Sequence, residues 1–396
     1  MSPIDAPAFR HDPRKAVLVL GSPTDSAFHW NDEPVVCGHR RFTHLRADGQ
    51  QIAVPVCATP VAVAGLGAVF ATYDGRVRLW DSSLDKLYWE SRLDNAVYAS
   101  PVADPARRAV VVASTGGLVR SFDLRGRPRW TAEAGGSVYA TPTLLPETGV
   151  LVVAMFGSSC VGLRLDTGAK VFAQELPRPW YAQWGGSAAD RDPYASPVTL
   201  DTGDVAVGCA EHVVCLSPDG EQRWCRDLGS SVRASLVAVH SVGTVAVATV
   251  DGRCTFLDSR TGEERGSVVL GGKVVGSPAL AGSVLAVGTQ DGVGFGVDVR
   301  THEVCWQVPG AAPRDHSSYT VTPGGSFAVT TARGNVLGLN SDDGRFLWET
   351  SQILGLADHD PALDVTPIVA PDGNMYCGSY SGMAYRFRFR PRQDSK

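Results

Sequence analysis

The chain has 396 residues, 44% hydrophobic and 19% charged, with 43 Gly and 25 Pro; this balance excludes an intrinsically disordered chain and indicates a globular fold with many turns. A formal net charge of −5 and a pI near 6.0, with no Lys/Arg stripe, give no general attraction to phosphate backbones or anionic lipid. Neither nucleic acid nor a membrane is therefore an expected partner.

Residues 1–33 read as an N-terminal extension. It starts Met-Ser-Pro-Ile-Asp-Ala-Pro, without the basic and apolar regions of a secretory signal, and no apolar run elsewhere is long enough to span a bilayer. The nine cysteines (Cys37, Cys57, Cys160, Cys209, Cys215, Cys225, Cys254, Cys305 and Cys377) are odd in number and scattered, with no Cys-x-x-Cys and no adjacent pair. Most lie in apolar runs, where a thiol behaves as a small buried hydrophobe. These features together lead to the expectation of a cytoplasmic chain. Residues 35–56 then read as three short strands.

From Thr59 onward a Ser/Thr-Pro-like step recurs, at Thr59, Ser100, Thr141, Ser196, Ser235, Ser277, a degenerate Thr320 and Thr366, spaced by 41, 41, 55, 39, 42, 43 and 46 residues. A period near 42 with several short strands per unit is the signature of a propeller blade. After each step come an apolar strand, a second strand, a tight turn, a third strand running into Asp-x-x-Thr-Gly, and a fourth strand carrying an aromatic. Asp74-Gly75 and Asp251-Gly252 are hairpin signals, because such turns need positive φ. The aromatic is Trp89, Phe172, Trp130, Trp224, Trp306 or Trp348, with no counterpart where Arg265 stands. A lone four-stranded sheet cannot bury both faces, so one large side chain per repeat is read as packing between blades and not as a cofactor box.

The expected fold is all-β: an eight-bladed β-propeller of four-stranded antiparallel blades, one domain over residues 34–390 with a tail at 391–396. The unit starting at Thr366 ends after its third strand, so an N-terminal strand, assigned to residues 51–56, is expected to close the ring. Three N-terminal strands compete for one position. Either a hairpin lies outside the ring, or a degenerate unit is not a blade and the ring has seven.

The order Ser-Pro, Asp-Gly, Asp-x-x-Thr-Gly, Trp resembles the PQQ-like (quinoprotein-like) propeller repeat over residues 34–390. In texture it is most similar to the C-terminal propeller of β-alanine-activating adenylating enzymes. The family also includes quinoprotein alcohol dehydrogenases and outer-membrane assembly lipoproteins, so the resemblance implies the fold and leaves the function open. The dehydrogenases use a vicinal disulfide, a calcium site and often haem. This sequence has no adjacent cysteines and no Cys-x-x-Cys-His, so PQQ redox chemistry, a cofactor and a metal are not expected. An envelope assembly role is set aside because no lipoprotein signal is read at the start.

Function is expected where polar and aromatic residues interrupt the repeat at the channel mouth. The connections from outer to next inner strand place Tyr98, Tyr139, Tyr194, Arg233, His316, Tyr319 and Asp364 there, and the turns between second and third strands add Tyr73, Phe156, Glu211, His212, Gln290, Asp291, Arg333 and Tyr380. The longest connection, residues 177–193, carries Trp180, Tyr181, Trp184 and Asp192 and is read as a cap. Two further loops, 311–319 and 354–361, set His316 beside Asp315 and His359 beside Asp358 and Asp360, without a metal-motif spacing. The expected binding set is Trp180, Tyr181, Trp184, Tyr194, Tyr98, Tyr139, Arg233, Glu211 and His212. The principal reading is a propeller that binds a small molecule or a protein or carrier partner at this mouth. The alternative is a cofactor-independent lyase, cyclase or isomerase using His316, His359, Asp315, Tyr319 and Asp360 for proton transfer.

Overall fold

The structure, a computed structural model, describes residues 17–19, 27–184, 191–314, 317–356 and 362–392. Among these residues eight four-stranded antiparallel blades stand around a central axis. Blade 1 runs outward through Val61–Ala64, Gly67–Ala71, Arg76–Asp81 and Leu87–Arg92, and six further blades repeat the pattern. Blade 8 takes Ile368–Val369, Asn374–Gly378 and Met383–Arg388 from the C-terminal end of the chain and its outermost strand, Val35–Arg41, from the N-terminal end. The count is eight, and an N-terminal strand closes the ring.

The closing strand is Val35–Arg41, which corrects the assignment to residues 51–56. Gln51–Ala53 instead pairs with Thr43–Leu45 as a separate two-stranded hairpin. Seven residues of Val35–Arg41 span the whole third strand, with a bulge between Val36 and Gly38 that keeps register. Arg40 then locks it to blade 1: Nε donates to the Leu84 carbonyl at 2.7 Å, Nη2 to that of Asp85 at 3.0 Å, and the guanidinium lies 4.4 Å from the Trp80 ring centre. One more strand, Val17–Val19, pairs in parallel with Val61–Ala64, giving blade 1 a fifth strand on its channel side.

Two recurring contacts hold neighbouring blades together. At the inner end, at six of the eight blade junctions, the Ser/Thr of the step uses its hydroxyl to accept the backbone N–H of the equivalent residue one blade earlier. Thr59 donates to Ser100, Ser100 to Thr141, Thr141 to Ser196, Ser196 to Ser235 and Ser235 to Ser277, all at 3.0–3.1 Å. In blade 7 the donor to Thr366 is Ser318, at 2.9 Å. The step of that blade is therefore Ser318, not Thr320, because the insertion before it shifts the phase.

At the outer end, the indole N–H of Trp89, Trp130, Trp224 and Trp306 donates to the carbonyl of Leu124, Leu165, Ser259 and Ser341 respectively, in the next blade, at 2.8–3.0 Å. The glycine closing the Asp-x-x-Thr-Gly turn lies under that ring. A Cβ at Gly126, Gly168, Gly262 or Gly344 would stand only 2.6–2.8 Å from the indole of the preceding blade. The motif and the tryptophan are thus two halves of one contact.

Blades 5 and 6 invert it. The tryptophan position of blade 5 is Gly266, paired with Phe256 as Trp306 is with Gly296, while Arg265 pairs with Asp258 at 2.7 Å. The glycine position of blade 6 is His302, held at φ 60°. Its imidazole stacks on Phe256 at 4.5 Å and fills the space above Gly266, where a Cβ would collide with it.

Trp224→Ala should cost about 3–5 kcal/mol of stability, as a large-to-small core truncation, measured by urea unfolding. Gly266→Trp and His302→Gly should each destabilise alone, by overpacking and by leaving a void. Combined, they restore the ordinary arrangement, and a double-mutant cycle should show a favourable coupling of at least about 1 kcal/mol.

Candidate functional site

Two residues before each Ser/Thr step the chain passes the channel mouth, and the residue there differs from blade to blade: Cys57, Tyr98, Tyr139, Tyr194, Arg233, Val275 and Asp364 among the described residues. Here the framework makes no demand, since the step hydroxyl and the inner strand already satisfy the backbone. In blades 2 to 5 the side chains join. Tyr139 stacks on Phe156 with centroids 4.3 Å apart and planes at 8°, Tyr98 lies 5.3 Å from Tyr139, and Tyr194 lies 4.9 Å from Phe156. Arg233 closes the row with its guanidinium 4.7 Å from the Tyr194 ring centre, a cation–π contact. All five are half-buried, forming a shelf of ring faces with polar tips.

The long insertion borders this shelf. It forms one turn of 3-10 helix, Trp180–Trp184, whose first N–H donates to Glu211 Oε1 at 2.7 Å. The Trp180 ring is 62% exposed and meets Tyr181 edge-on. Below it lie two buried carboxylates, Asp192 and Glu211, and Arg233 Nη1 approaches Asp192 Oδ1 to 3.9 Å. Asp192 Oδ1, Glu211 Oε2 and the nearby Ser158 Oγ are buried without hydrogen-bond partners. Burial pushes the Asp192 carboxyl above the ordinary carboxylate range; Arg233 opposes the rise and Glu211 adds to it. Burial also raises the Tyr139 and Tyr181 hydroxyls, which stay neutral donors at physiological pH. His212, next to Glu211, places Nε2 3.9 Å from Asp227 Oδ2.

The structure thus brings together Tyr98, Tyr139, Tyr194, Arg233, Trp180, Tyr181 and Glu211 from the expected binding set, with His212 at its margin. Trp184 ends the 3-10 turn, and its side chain lies outside the described residues, as do Asp315, His316, His359 and Asp360. Tyr319 is placed away from the mouth. It is a wholly buried core residue between blades 6 and 7, its hydroxyl donating to the Ala311 carbonyl at 2.5 Å. Sequence reasoning missed Arg314, whose Nε lies 3.2 Å from Asp364 Oδ1 while Asp364 Oδ2 accepts the Tyr380 N–H at 2.7 Å. An open cleft of about 320 Å³ lies beside it, lined by Gln290, Pro313 and Arg314. Among the described residues no group of three or more His, Cys, Asp and Glu could hold a metal ion.

A carboxylate whose folded pKa is raised costs the folded state nothing below its unfolded pKa and its full penalty above the folded one. Asp192→Asn should therefore raise the melting temperature at pH 7. The gain should shrink to nothing as the pH falls toward about 4, the unfolded carboxylate range, in thermal melts run as a pH series.

The sequence model described as outer membrane protein assembly factor BamB matches residues 42–205 and 210–391. The BamB of Shewanella oneidensis is 26% identical over 186 residues, 41% of this chain and 46% of that protein. The BamB of Nitrosomonas eutropha is 28% identical over 130 residues, 33% and 31% of the two chains. The chain thus matches less than half the length of either curated relative. The crystal structure of BamB from Moraxella catarrhalis superposes with a TM-score of 0.69 at 18% identity, over 90% of this chain and 100% of that one. The computationally designed Ika8 protein does so with a TM-score of 0.63 at 12% identity, over 95% and 100%. At such identities the likeness is one of fold.

The relatives' names correct the expectation of a cytoplasmic chain and remove the ground for excluding a membrane setting or an envelope assembly role. Absence of a readable signal at the start of the sequence was too weak a basis for either. With eight blades, the Ser/Thr ring, the tryptophan–glycine contact and the matched residues together, the chain belongs to the PQQ-like propeller family described as outer membrane protein assembly factor BamB.

Proposed function

We propose that this chain is a partner-binding propeller that docks a protein on the mouth of its channel, in a role like that named for its relatives, the assembly of outer membrane proteins, and that it carries out no PQQ redox chemistry. The observation that carries the reading is the continuous aromatic and arginine shelf across blades 2 to 5. Tyrosine and arginine are the residues in which protein interfaces concentrate binding energy, because they offer large rigid area at low entropic cost together with a hydrogen-bonding tip. Trp180, mostly exposed at the border, extends the same surface.

Catalysis finds less support. Of the residues expected to move protons, the one described, Tyr319, has its hydroxyl engaged with Ala311 in the core. The cleft beside Arg314 is open and lies across the mouth from the shelf. Burial of Asp192 and Glu211 instead suits a rigid support beneath a contact surface.

A photo-crosslinking residue placed at Tyr98 in the producing organism should capture a component of outer-membrane protein assembly, and the same residue at Val269, on an exposed outer strand, should not. Tyr139→Ala and Arg233→Ala should each weaken that complex by roughly tenfold or more, about 1–3 kcal/mol, with little change in melting temperature for Tyr139→Ala and a lower one at pH 7 for Arg233→Ala, which leaves the buried Asp192 uncompensated. Equal capture from both positions, or none from Tyr98, would overturn the reading.

A further inference from the structure

In six of the blades the turn between the second and third strands ends in a glycine at positive φ: Gly75, Gly117, Gly252, Gly292, Gly334 and Gly382. Its carbonyl accepts the N–H of a residue beyond the fourth strand, as that of Gly75 accepts Leu93 at 2.8 Å. Blades 3 and 4 keep this hydrogen bond and give up the glycine. The carbonyl of Ser158 accepts Leu176 at 2.8 Å, and that of Glu211 accepts Leu228 at 2.9 Å. Ser158 sits at φ 55°, and in blade 4 the left-handed residue is Ala210, at 52°. A residue with a side chain adopts that conformation at a cost glycine escapes, so the framework gains nothing from either exchange. Their effect is to set two oxygen-bearing side chains on adjoining blades, beside the long insertion.

Both side chains are buried, and so is Asp192, whose carbonyl accepts the Ser158 N–H at 2.9 Å. Each contributes one oxygen, Ser158 Oγ, Glu211 Oε2 and Asp192 Oδ1, that is closed off from solvent and has no hydrogen-bond partner. The Cys209 thiol is their common neighbour: Ser158, Asp192 and Glu211 are all among the groups that act on it. Its own proton goes to the Pro177 carbonyl at 3.3 Å, and burial keeps it neutral, pushed up to about 12. Glu211 Oε1 is taken by the Trp180 N–H. Arg233 Nη1 stands 3.9 Å from Asp192 Oδ1, beyond hydrogen-bond reach. Two carboxylates against one guanidinium leave the pocket one positive charge short, and a buried charge without a partner is strongly unfavourable.

We infer that Asp192 Oδ1, Glu211 Oε2 and Ser158 Oγ bind one monovalent metal cation, sodium or potassium, between blades 3 and 4. The donors select the class of ion. Carboxylate and hydroxyl oxygens are hard ligands, and the set holds no imidazole and no thiolate, so it does not suit a transition metal. Charge selects the valence: one added positive charge makes the pocket neutral beside Arg233, whereas a divalent ion would bury an excess. Closure of the three oxygens to solvent acts in the same direction, because magnesium gives up its water shell reluctantly. The ion ties blade 3, blade 4 and the end of the insertion to one another beneath the aromatic shelf. It does so whatever the mouth binds.

The test is thermal unfolding of the full chain, dialysed free of metal ions, in the chlorides of sodium, potassium and choline at one ionic strength of about 0.15 M. A ligand of the folded state raises the melting temperature as its concentration rises. The wild type should therefore melt at least about 1 °C higher in sodium or potassium than in choline, and the rise should saturate in mixtures of fixed total salt. Asp192→Asn and Glu211→Gln should abolish the difference. In choline Asp192→Asn should melt above the wild type, since the buried charge is gone and no ion is lost with it. Ser158→Gly restores the framework glycine, so it should also gain in choline and respond less to the metal ions. Arg233→Ala removes the competing charge and should widen the gap between choline and the metal ions. Equal melting of the wild type in all three salts would overturn the inference, and this comparison needs no variant to fold. So would an ion dependence that Asp192→Asn and Glu211→Gln leave intact, the mark of ions acting on the surface at large.

Discussion

The molecule depends on a large aromatic ring lying on a glycine. Each blade is a small twisted sheet with two apolar faces, and neither can be buried within the blade itself. The indole of one blade covers the turn of the next, donates its N–H to a carbonyl there, and requires a residue without Cβ beneath it. At the inner end the Ser/Thr hydroxyls link backbone to backbone in the same direction. The exchange at Gly266 and His302 shows that what is required is a filled space and not a tryptophan in a fixed place. Trp348, whose following blade ends in an N-terminal strand and has no equivalent turn, packs on Phe389 and leaves its indole nitrogen without a partner.

Because these contacts satisfy the framework, the position two residues before each step is released from structural duty. Tyrosines gather there in three successive blades and an arginine in the fourth, and the long insertion between blades 3 and 4 lies next to them. The price in stability falls on Asp192 and Glu211, each of which buries one carboxylate oxygen, Asp192 Oδ1 and Glu211 Oε2, without a hydrogen bond. Opposite, Arg314 and Asp364 form a charged sector. The aromatic shelf and the Arg314–Asp364 pair thus lie on different sectors of the mouth.

Repeat architecture was legible in the sequence because its signals are local: a turn glycine, an Asp-Gly hairpin and a strand aromatic each declare themselves within a few residues. Pairing across the whole chain was not. Residues 35–41 and 51–53 read equally as strands, and what selects the first is a bulge at Gly38 and the reach of Arg40 to blade 1, both visible only in three dimensions. The phase of blade 7 was lost because an insertion precedes Ser318, and with it Tyr319 was expected at the mouth when it fills the core. The aromatic shelf was found because repeat phase fixes direction. Arg314 went unnoticed because its partner, Asp364, lies in the following blade, where sequence spacing gives no cue.

Closure of the ring by strands from both ends also sets an order on biosynthesis. Val35–Arg41 leaves the ribosome long before Met383–Arg388, the strand it pairs with. At ordinary translation rates of about 5–20 residues per second, that strand waits on the order of tens of seconds with its pairing edge open. Blades 1 to 7 can meanwhile accrete one upon another, each new turn sliding beneath an indole already in place. The last blade is then less a unit of folding than a clasp, and the nascent propeller is an open spiral until Met383–Arg388 has been made.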